Sequence, residues 1–373
     1  MIPSRKYVLR FCSKSAFFDF LMSTMILLKR LFVSVNNDTK LRYIIEKYII
    51  FAEYLGKYMK KVGFSLLLSL VVVLATAQES QTEYNFLRLP VSSHAAALGG
   101  GNISLVDDDA SLIYQNPALL SSVSDKSLFF GYMRYMHDTN MGAAAFSRTL
   151  TDRASWAVAG QYVDYGTMKQ TDEAGVATGR FKAKDIALSG CFSYLLTDRL
   201  AGGIAARFIT STLGEYHAVA VGVDLGLNYY VPDDEFSLSL VARNLGGQLK
   251  AFADDYEPMP IDIQLGVSKR FSHTPFGVHL TMVDLNHWDY KLLHHCQAGI
   301  DAQLSSAVWI GVGYRFRQGH DMRISAGEEE VVTGGAGFTA GAGLNLERFK
   351  LNLAYGRYHV SSHSLLLNVG FSL

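Results

Sequence analysis

From Ser127 to the last residue, Leu373, apolar and polar side chains alternate with a period of two. Leu365, Leu367, Val369, Phe371 and Leu373 share one face of the final stretch, and Asn368, Gly370 and Ser372 fall on the other. No polar tail follows. The same pattern sets Val219, Val221, Val223, Leu225, Leu227 and Tyr229 opposite Ala220, Gly222, Asp224, Gly226 and Asn228. It sets Ile261, Ile263, Leu265 and Val267 opposite Asp262, Gln264, Gly266 and Ser268. Val308, Ile310, Val312, Tyr314 and Phe316 likewise oppose Trp309, Gly311, Gly313, Arg315 and Arg317, and Leu351, Leu353 and Tyr355 oppose Asn352, Ala354 and Gly356. One face of each long strand is apolar and the other small or polar, the pattern of a sheet whose outside meets lipid.

The alternation predicts strands over 127–136, 140–149, 153–165, 183–196, 199–210, 216–230, 235–244, 261–271, 275–285, 293–304, 306–317, 334–347, 350–359 and 363–373. That is 14, an even number, and residues 320–325 are placed in a loop. An open sheet edge in lipid would leave backbone groups unpaired at several kcal/mol each, so the sheet must close. The fold class is therefore all-β: a transmembrane outer-membrane β-barrel of about 14 antiparallel strands over 126–373. Phe371 and Leu373 are its expected closure and insertion signal. Turns at 137–139, 151–152, 197–198 and 347–348 are expected on the periplasmic side, and the longer stretches 167–180, 251–260 and 319–332 outside the cell.

The front of the chain departs from this pattern. Met59-Lys60-Lys61, the apolar run Val62–Leu74 and Ala75-Thr76-Ala77 make a secretory signal peptide over 59–77, cut before Gln78. The run is short for a span, which needs roughly 20 residues, and no Cys stands at the cut to take a lipid. Residues 1–58 then precede a complete signal peptide, which points to Met59 as the translation start, with a genuine extra anchor as the alternative.

Residues 78–125 do not alternate and are read as an N-terminal hatch or plug. Ser92–Ala97 suits a short helix, ended by Gly99-Gly100-Gly101. Asp107, Asp108 and Asp109 follow, one of the last two able to cap a short helix, and Asn116-Pro117-Ala118 marks a turn. Three adjacent carboxylates invite a calcium reading, but the spacing lacks the Gly and Glu of a calcium loop.

Composition narrows the function classes. With 34 basic and 34 acidic residues there is no charge argument for a nucleic-acid partner. Gly at 33, with 20 Tyr and 22 Phe, suits strands and membrane interfaces. The expected mature chain keeps Cys191 and Cys296, read as two buried small side chains with no disulfide framework. Phosphate loops, dinucleotide fingerprints, nucleophile elbows and zinc-protease motifs are absent. His294 and His295, adjacent on a strand, would face opposite ways and share no metal, with Trp288 and Tyr290 beside them as interfacial aromatics. No serine can be set beside a histidine and its partner on facing strands, so no catalytic residue, cofactor or metal is expected.

Two stretches carry a resemblance. Phe86-Leu87-Arg88-Leu89-Pro90-Val91-Ser92-Ser93-His94-Ala95-Ala96-Ala97-Leu98-Gly99-Gly100 and Asp107-Asp108-Asp109-Ala110-Ser111-Leu112-Ile113-Tyr114-Gln115-Asn116-Pro117-Ala118-Leu119 resemble the start of mature PorV/PorQ proteins, PorQ most of all. These are type IX secretion barrels of the Bacteroidota with a FadL-like fold. The resemblance implies a hatch seated in the barrel, with Asp107, Asp108, Asp109, Asn116, Pro117 and Ala118 as its structural motif. It implies a non-enzymatic outer-membrane secretion component that anchors a surface-exposed, PorZ-like partner. Outer-membrane lipid, lipopolysaccharide and the barrel assembly machinery are the other implied partners. A FadL-like transporter of long-chain fatty acids or other hydrophobic solutes is the alternative. The inward residues Asp224, Asn228, Gln264, Arg315 and Asn352 look too polar for it. Tyr165, Phe252 and Tyr256 are candidates for either a partner contact or interfacial anchoring.

Overall fold

A computed structural model describes residues 84–136, 138–172, 174–287, 291–321, 324–325, 331–332, 335–359 and 362–373. The expected extension 1–58, signal peptide 59–77, mature start at Gln78, and Trp288 and Tyr290 lie outside the described residues.

The strands are β1 (Ser127–Arg134), β2 (Asn140–Thr151), β3 (Ala154–Thr171), β4 (Ala177–Thr197), β5 (Leu200–Leu213) and β6 (Tyr216–Val231). They continue with β7 (Phe236–Lys250), β8 (Asp262–Arg270), β9 (Phe276–Met282), β10 (Cys296–Gln303) and β11 (Val308–Arg315). After the two-residue strands β12 (Ile324–Ser325) and β13 (Val331–Val332) come β14 (Phe338–Asn345), β15 (Phe349–His359) and β16 (Ser362–Ser372). Each barrel strand pairs antiparallel with its neighbours, and β1 also pairs with β16, so the sheet closes. β12 and β13 pair only with each other, which leaves 14 strands in the barrel.

The last strand shows why closure and lipid exposure go together. In β16, Leu365, Leu367 and Phe371 point outward and are exposed, while Ser364, Leu366 and Asn368 point inward and are buried. Phe371 lies between Leu128 of β1 and Phe349 of β15. The same outward apolar face runs through Ile204, Phe208, Leu225, Leu227, Ile310, Val312, Leu351 and Leu353. Aromatic side chains mark both ends of that belt: Phe192, Tyr194, Tyr229, Phe349 and Phe371 near the short turns, Tyr132, Tyr162 and Phe338 near the other end. Among the described residues no helix is long and apolar enough to cross a membrane; the strands make the crossing. A single-chain closed barrel with this exterior belongs in the outer membrane.

Three connections differ from expectation. Successive turns of an up-and-down barrel alternate ends, so the connection after β1 shares an end with the long loops and not with the other short turns. The turns after β2, β4 and β14 sit at the opposite end with Lys126 and Leu373, whose backbones are hydrogen-bonded. The expected loop 167–180 is largely strand, because β3 and β4 pair with each other beyond the ends of their other neighbours. β11 stops at Arg315, and Phe316–Asp321 turns into a short helix.

Candidate functional site: the occupied lumen

The inward faces surround a segment of this chain. Residues 84–125 form four short helical turns, one of them an α-helix, α1 (Ser93–Ala97). Local chemistry sets each start. Ser92 accepts from the Ala95 amide at 3.4 Å, Asp109 from Ser111 at 2.8 Å, and Asn116 from Ala118 at 2.9 Å with Pro117 in the first helical position. These side chains satisfy amides that a helix end leaves without partners.

Hydrogen bonds tie this segment to strands all round the barrel. Tyr114 donates to the carbonyls of Ala144 and Gly160, both at 2.7 Å. Ser193 donates to the Ala118 carbonyl at 3.2 Å, and Arg243 to those of Leu87 and Tyr114 at 3.1 and 3.0 Å. Arg315 donates to the Gly99 carbonyl at 2.7 Å, Thr339 to that of Ala97 at 2.9 Å, and Asn368 to that of Val91 at 3.0 Å. Contacts with β2, β3, β4, β7, β11, β14 and β16 place the segment inside the cylinder. Apolar packing accompanies them, through Phe86, Leu87, Val91, Ile113, Tyr114 and Leu120 against Phe129, Met133, Met141 and Trp309.

Wall glycines let the two backbones meet. A Cβ on Gly203 would sit 2.3 Å from the Ala118 nitrogen and the Pro117 carbonyl carbon. One on Gly313 would sit 2.2 Å from the Gly99 nitrogen. Neither position has room for any side chain.

Two charged groups stand within the wall and against the segment. In the first, Arg207 pairs with Asp224 at 2.6 Å and donates to Asn244 at 2.9 Å. Asn244 holds a left-handed φ of 56°, and its amide donates to the other Asp224 oxygen at 2.7 Å. That pins a β-bulge in β7. The second gathers round Asp301, which takes Arg270 at 2.7 Å and His279 at 3.0 Å. His94 of α1 stands 3.6 Å from Asp301 and 3.5 Å from Asp107, its ring stacked on Trp309 at 3.7 Å. Burial lowers the His94 pKa, but the Asp107 and Asp301 carboxylates outweigh it and leave it raised. Burial pushes Asp107 up, yet His94 and Lys350 hold it below its ordinary value. Asp109, buried with the charge of Asp107 nearby, is raised.

The three adjacent carboxylates are thus dispersed. Asp107 faces His94, Asp108 binds Lys350 at 2.9 Å and Ser124, and Asp109 caps a turn. Among the described residues no group of three or more His, Cys, Asp or Glu side chains is placed to hold a metal. His294 and His295 are not on a strand: they end the turn Leu292–His295, where His295 is buried against the Val283 carbonyl and His294 lies beside His320. Cys191 is buried, but Cys296 is only half-buried, in register with outward Ile300.

A serine, a histidine and a carboxylate do come together, contrary to expectation. Ser268, His279 and Asp301 lie on β8, β9 and β10, with Ser268 2.8 Å from His279. Pairwise strand reasoning missed them because the row crosses three strands. The serine hydroxyl is also bound by Ser104 of the inner segment at 2.8 Å, and all three groups are buried. The row seats the segment.

The inward positions Asp224, Asn228, Gln264, Arg315 and Asn352 all face the lumen as read. Arg207, Arg243, His94 and Asp301 were not singled out, although inward parity marks the strand residues. Tyr256 is exposed, whereas Tyr165 is bonded to Asp185 at 2.6 Å.

No family model matches the chain, and no curated protein matches it in sequence. Solved structures match in fold. The monoaromatic hydrocarbon channel CymD superposes with a TM-score of 0.53 at 10% identity, over 77% of this chain and 98% of that one. The fold is FadL-like. The toluene transporter TodX of P. putida gives 0.49 at 14% identity over 77% and 99%, and a Pseudomonas aeruginosa FadL homologue 0.47 at 10% over 76% and 99%. At such identities the likeness concerns the FadL-like barrel alone.

Proposed function

We propose that this chain is a plugged, non-enzymatic outer-membrane barrel that anchors a surface partner protein for type IX secretion, the partner being PorZ-like. The support is the lumen. Its Arg243, Arg315 and Asn368 donate to carbonyls of residues 84–125 and Asp301 faces His94, while Arg207, Asp224 and Asn244 bind one another within the wall. The PorV/PorQ-like motifs lie in that segment. Residues 84–125 act as the hatch, and lipid, lipopolysaccharide and the assembly machinery are the remaining partners.

The second reading is a hydrophobic-solute channel, and the fold comparison favours it, since CymD is a monoaromatic hydrocarbon channel. Its own observation here is an apolar cavity of about 640 Å³ on the wall, lined by Val158, Leu188, Phe208, Val221 and Leu245 over Gly222 and Gly246. A deletion strain separates the two. The anchor reading expects loss of surface-retained secreted proteins with hydrophobic-solute uptake intact. Intact surface proteins with lost uptake would overturn it.

A further inference from the structure

At the long-loop end, between the inner segment and the wall, lies a cavity of about 240 Å³. That is room for roughly eight waters, or one small polar molecule. Arg243, Gln264, Gln297 and Arg315 line it, with Asp284 and Asp321 held in ion pairs with Arg88 and Arg317, and Asp262 accepting from Gln264 and the Asp284 amide. Arg243 is buried, yet it belongs to none of the ion pairs among the described residues. Its Nη2 serves the Leu87 and Tyr114 carbonyls, and its Nε has no partner. Asp224 and Asp262 act on it only from beyond ion-pair distance, so a buried guanidinium with a free N–H is still costly and favours an anion beside it.

The amides add a second demand. Gln264 is buried, and its Nε2 donates to Asp262 at 2.5 Å. That bond fixes which end of the amide is oxygen, because a carboxylate accepts only. The Oε1 left facing elsewhere has no partner, and neither has the buried Oε1 of Gln297. Both need hydroxyl or N–H donors. On the far side Arg315 binds carbonyl and amide oxygens, Gly99 and Gln318, and lies over the Tyr358 ring. The site therefore offers a charged donor and two neutral acceptors, with Val283 and Cys296 as the apolar part of its lining.

We propose that this mouth cavity binds an oxyanion carried on a hydroxylated frame, a sugar phosphate or sugar acid in chemical class, with Arg243 on the oxyanion and Gln264 and Gln297 on hydroxyls. The inference is independent of whether the barrel anchors or transports. The full chain, purified in mild detergent at low salt, is titrated calorimetrically with glucose 6-phosphate, glucose, inorganic phosphate and octanoate. Glucose 6-phosphate is expected to bind tightest. Gln297→Ala is expected to weaken it roughly fivefold to tenfold, the weight of one hydrogen bond, and to leave phosphate unchanged. Gln264→Glu, which sets a second carboxylate beside Asp262, is expected to abolish binding. Heat-modifiable gel mobility reports that both variants remain folded, and Gln297→Ala carries the test if Gln264→Glu does not fold. No binding of glucose 6-phosphate, binding equal to that of phosphate, a preference for octanoate, or no effect of Gln297→Ala would each overturn the proposal.

Discussion

Gly203→Ala tests whether the inner segment is seated on the wall as described. The added Cβ would lie 2.3 Å from the Ala118 nitrogen, where carbon contacts relax to about 3.5 Å, so something must move by roughly 1 Å. The barrel strand is held on both sides, by β4 and β6, and the 116–118 turn is the softer body. Moving it strains the Asn116–Ala118 cap at 2.9 Å and the Ser193 bond to Ala118 at 3.2 Å. Overpacking costs about 1–3 kcal/mol, and each bond about 1 kcal/mol if lost. Gly190→Ala is the control, since nothing lies within 4 Å of its Cβ position. It should be neutral or gain up to about 1 kcal/mol through the unfolded chain. Equilibrium urea unfolding in vesicles should therefore separate the two by roughly 2–3 kcal/mol. Planar-bilayer recording should show more frequent openings for Gly203→Ala alone. Equal midpoints and equal conductance would refute the seating.

Three further outcomes are expected. Asp301→Asn takes the carboxylate from His279, while Arg270 keeps Glu235 at 3.4 Å and His94 keeps Asp107, so it should cost about 1.5–3 kcal/mol in the same urea assay, with native-like stability counting against the cluster. The raised His94 pKa means that its contribution is complete below about 6.5 and is lost as pH rises through the raised value. The lowered Asp107 pKa means the reverse limb, complete above about 3.8 and lost as pH falls below it. Proteolytic protection of residues 84–125 should then be greatest between those values, and His94→Gln should flatten the alkaline limb; an unchanged limb would exclude His94 as its source. A membrane-permeant maleimide should label half-buried Cys296 in the folded barrel and label buried Cys191 only after unfolding, and equal labelling would contradict the assigned faces.

The barrel was legible because lipid imposes one rule on every strand. Leu365, Leu367 and Phe371 had to share a face for β16 to meet lipid, and that face continues through barrel strands such as β5, β6, β11 and β15. Asp109 was one of two caps read from the sequence, while Ser92 was read as the first helical residue and Asn116 as a turn, although all three caps are local and reach only two or three residues ahead. What was not legible depends on pairs far apart in sequence. His94 meets Asp301, and Ser268 meets both Ser104 and His279, only after the sheet closes and the segment enters it. The two histidines at 294 and 295 were misread because a strand was extended through a turn.

The distribution of forces over residues 84–125 separates what retains the segment from what aligns it. Each wall-to-segment hydrogen bond replaces one that water in an open lumen would supply, so it is worth about 1 kcal/mol or less net. Phe86, Leu87, Ile113, Tyr114 and Leu120 have no such substitute, because their buried faces would meet water on release. At about 25 cal/mol per Å² of apolar surface, a single large side chain outweighs a typical bond. The bonds from Arg243, Arg315, Thr339 and Asn368 instead reach particular carbonyls, Leu87, Gly99, Ala97 and Val91, and a one-residue slip would misplace them all. Apolar burial therefore sets how strongly the segment is held, and the polar wall sets its register. A lumen of this kind is built as a protein interior is built, with its polar groups specifying one arrangement and its apolar groups supplying the energy to keep it.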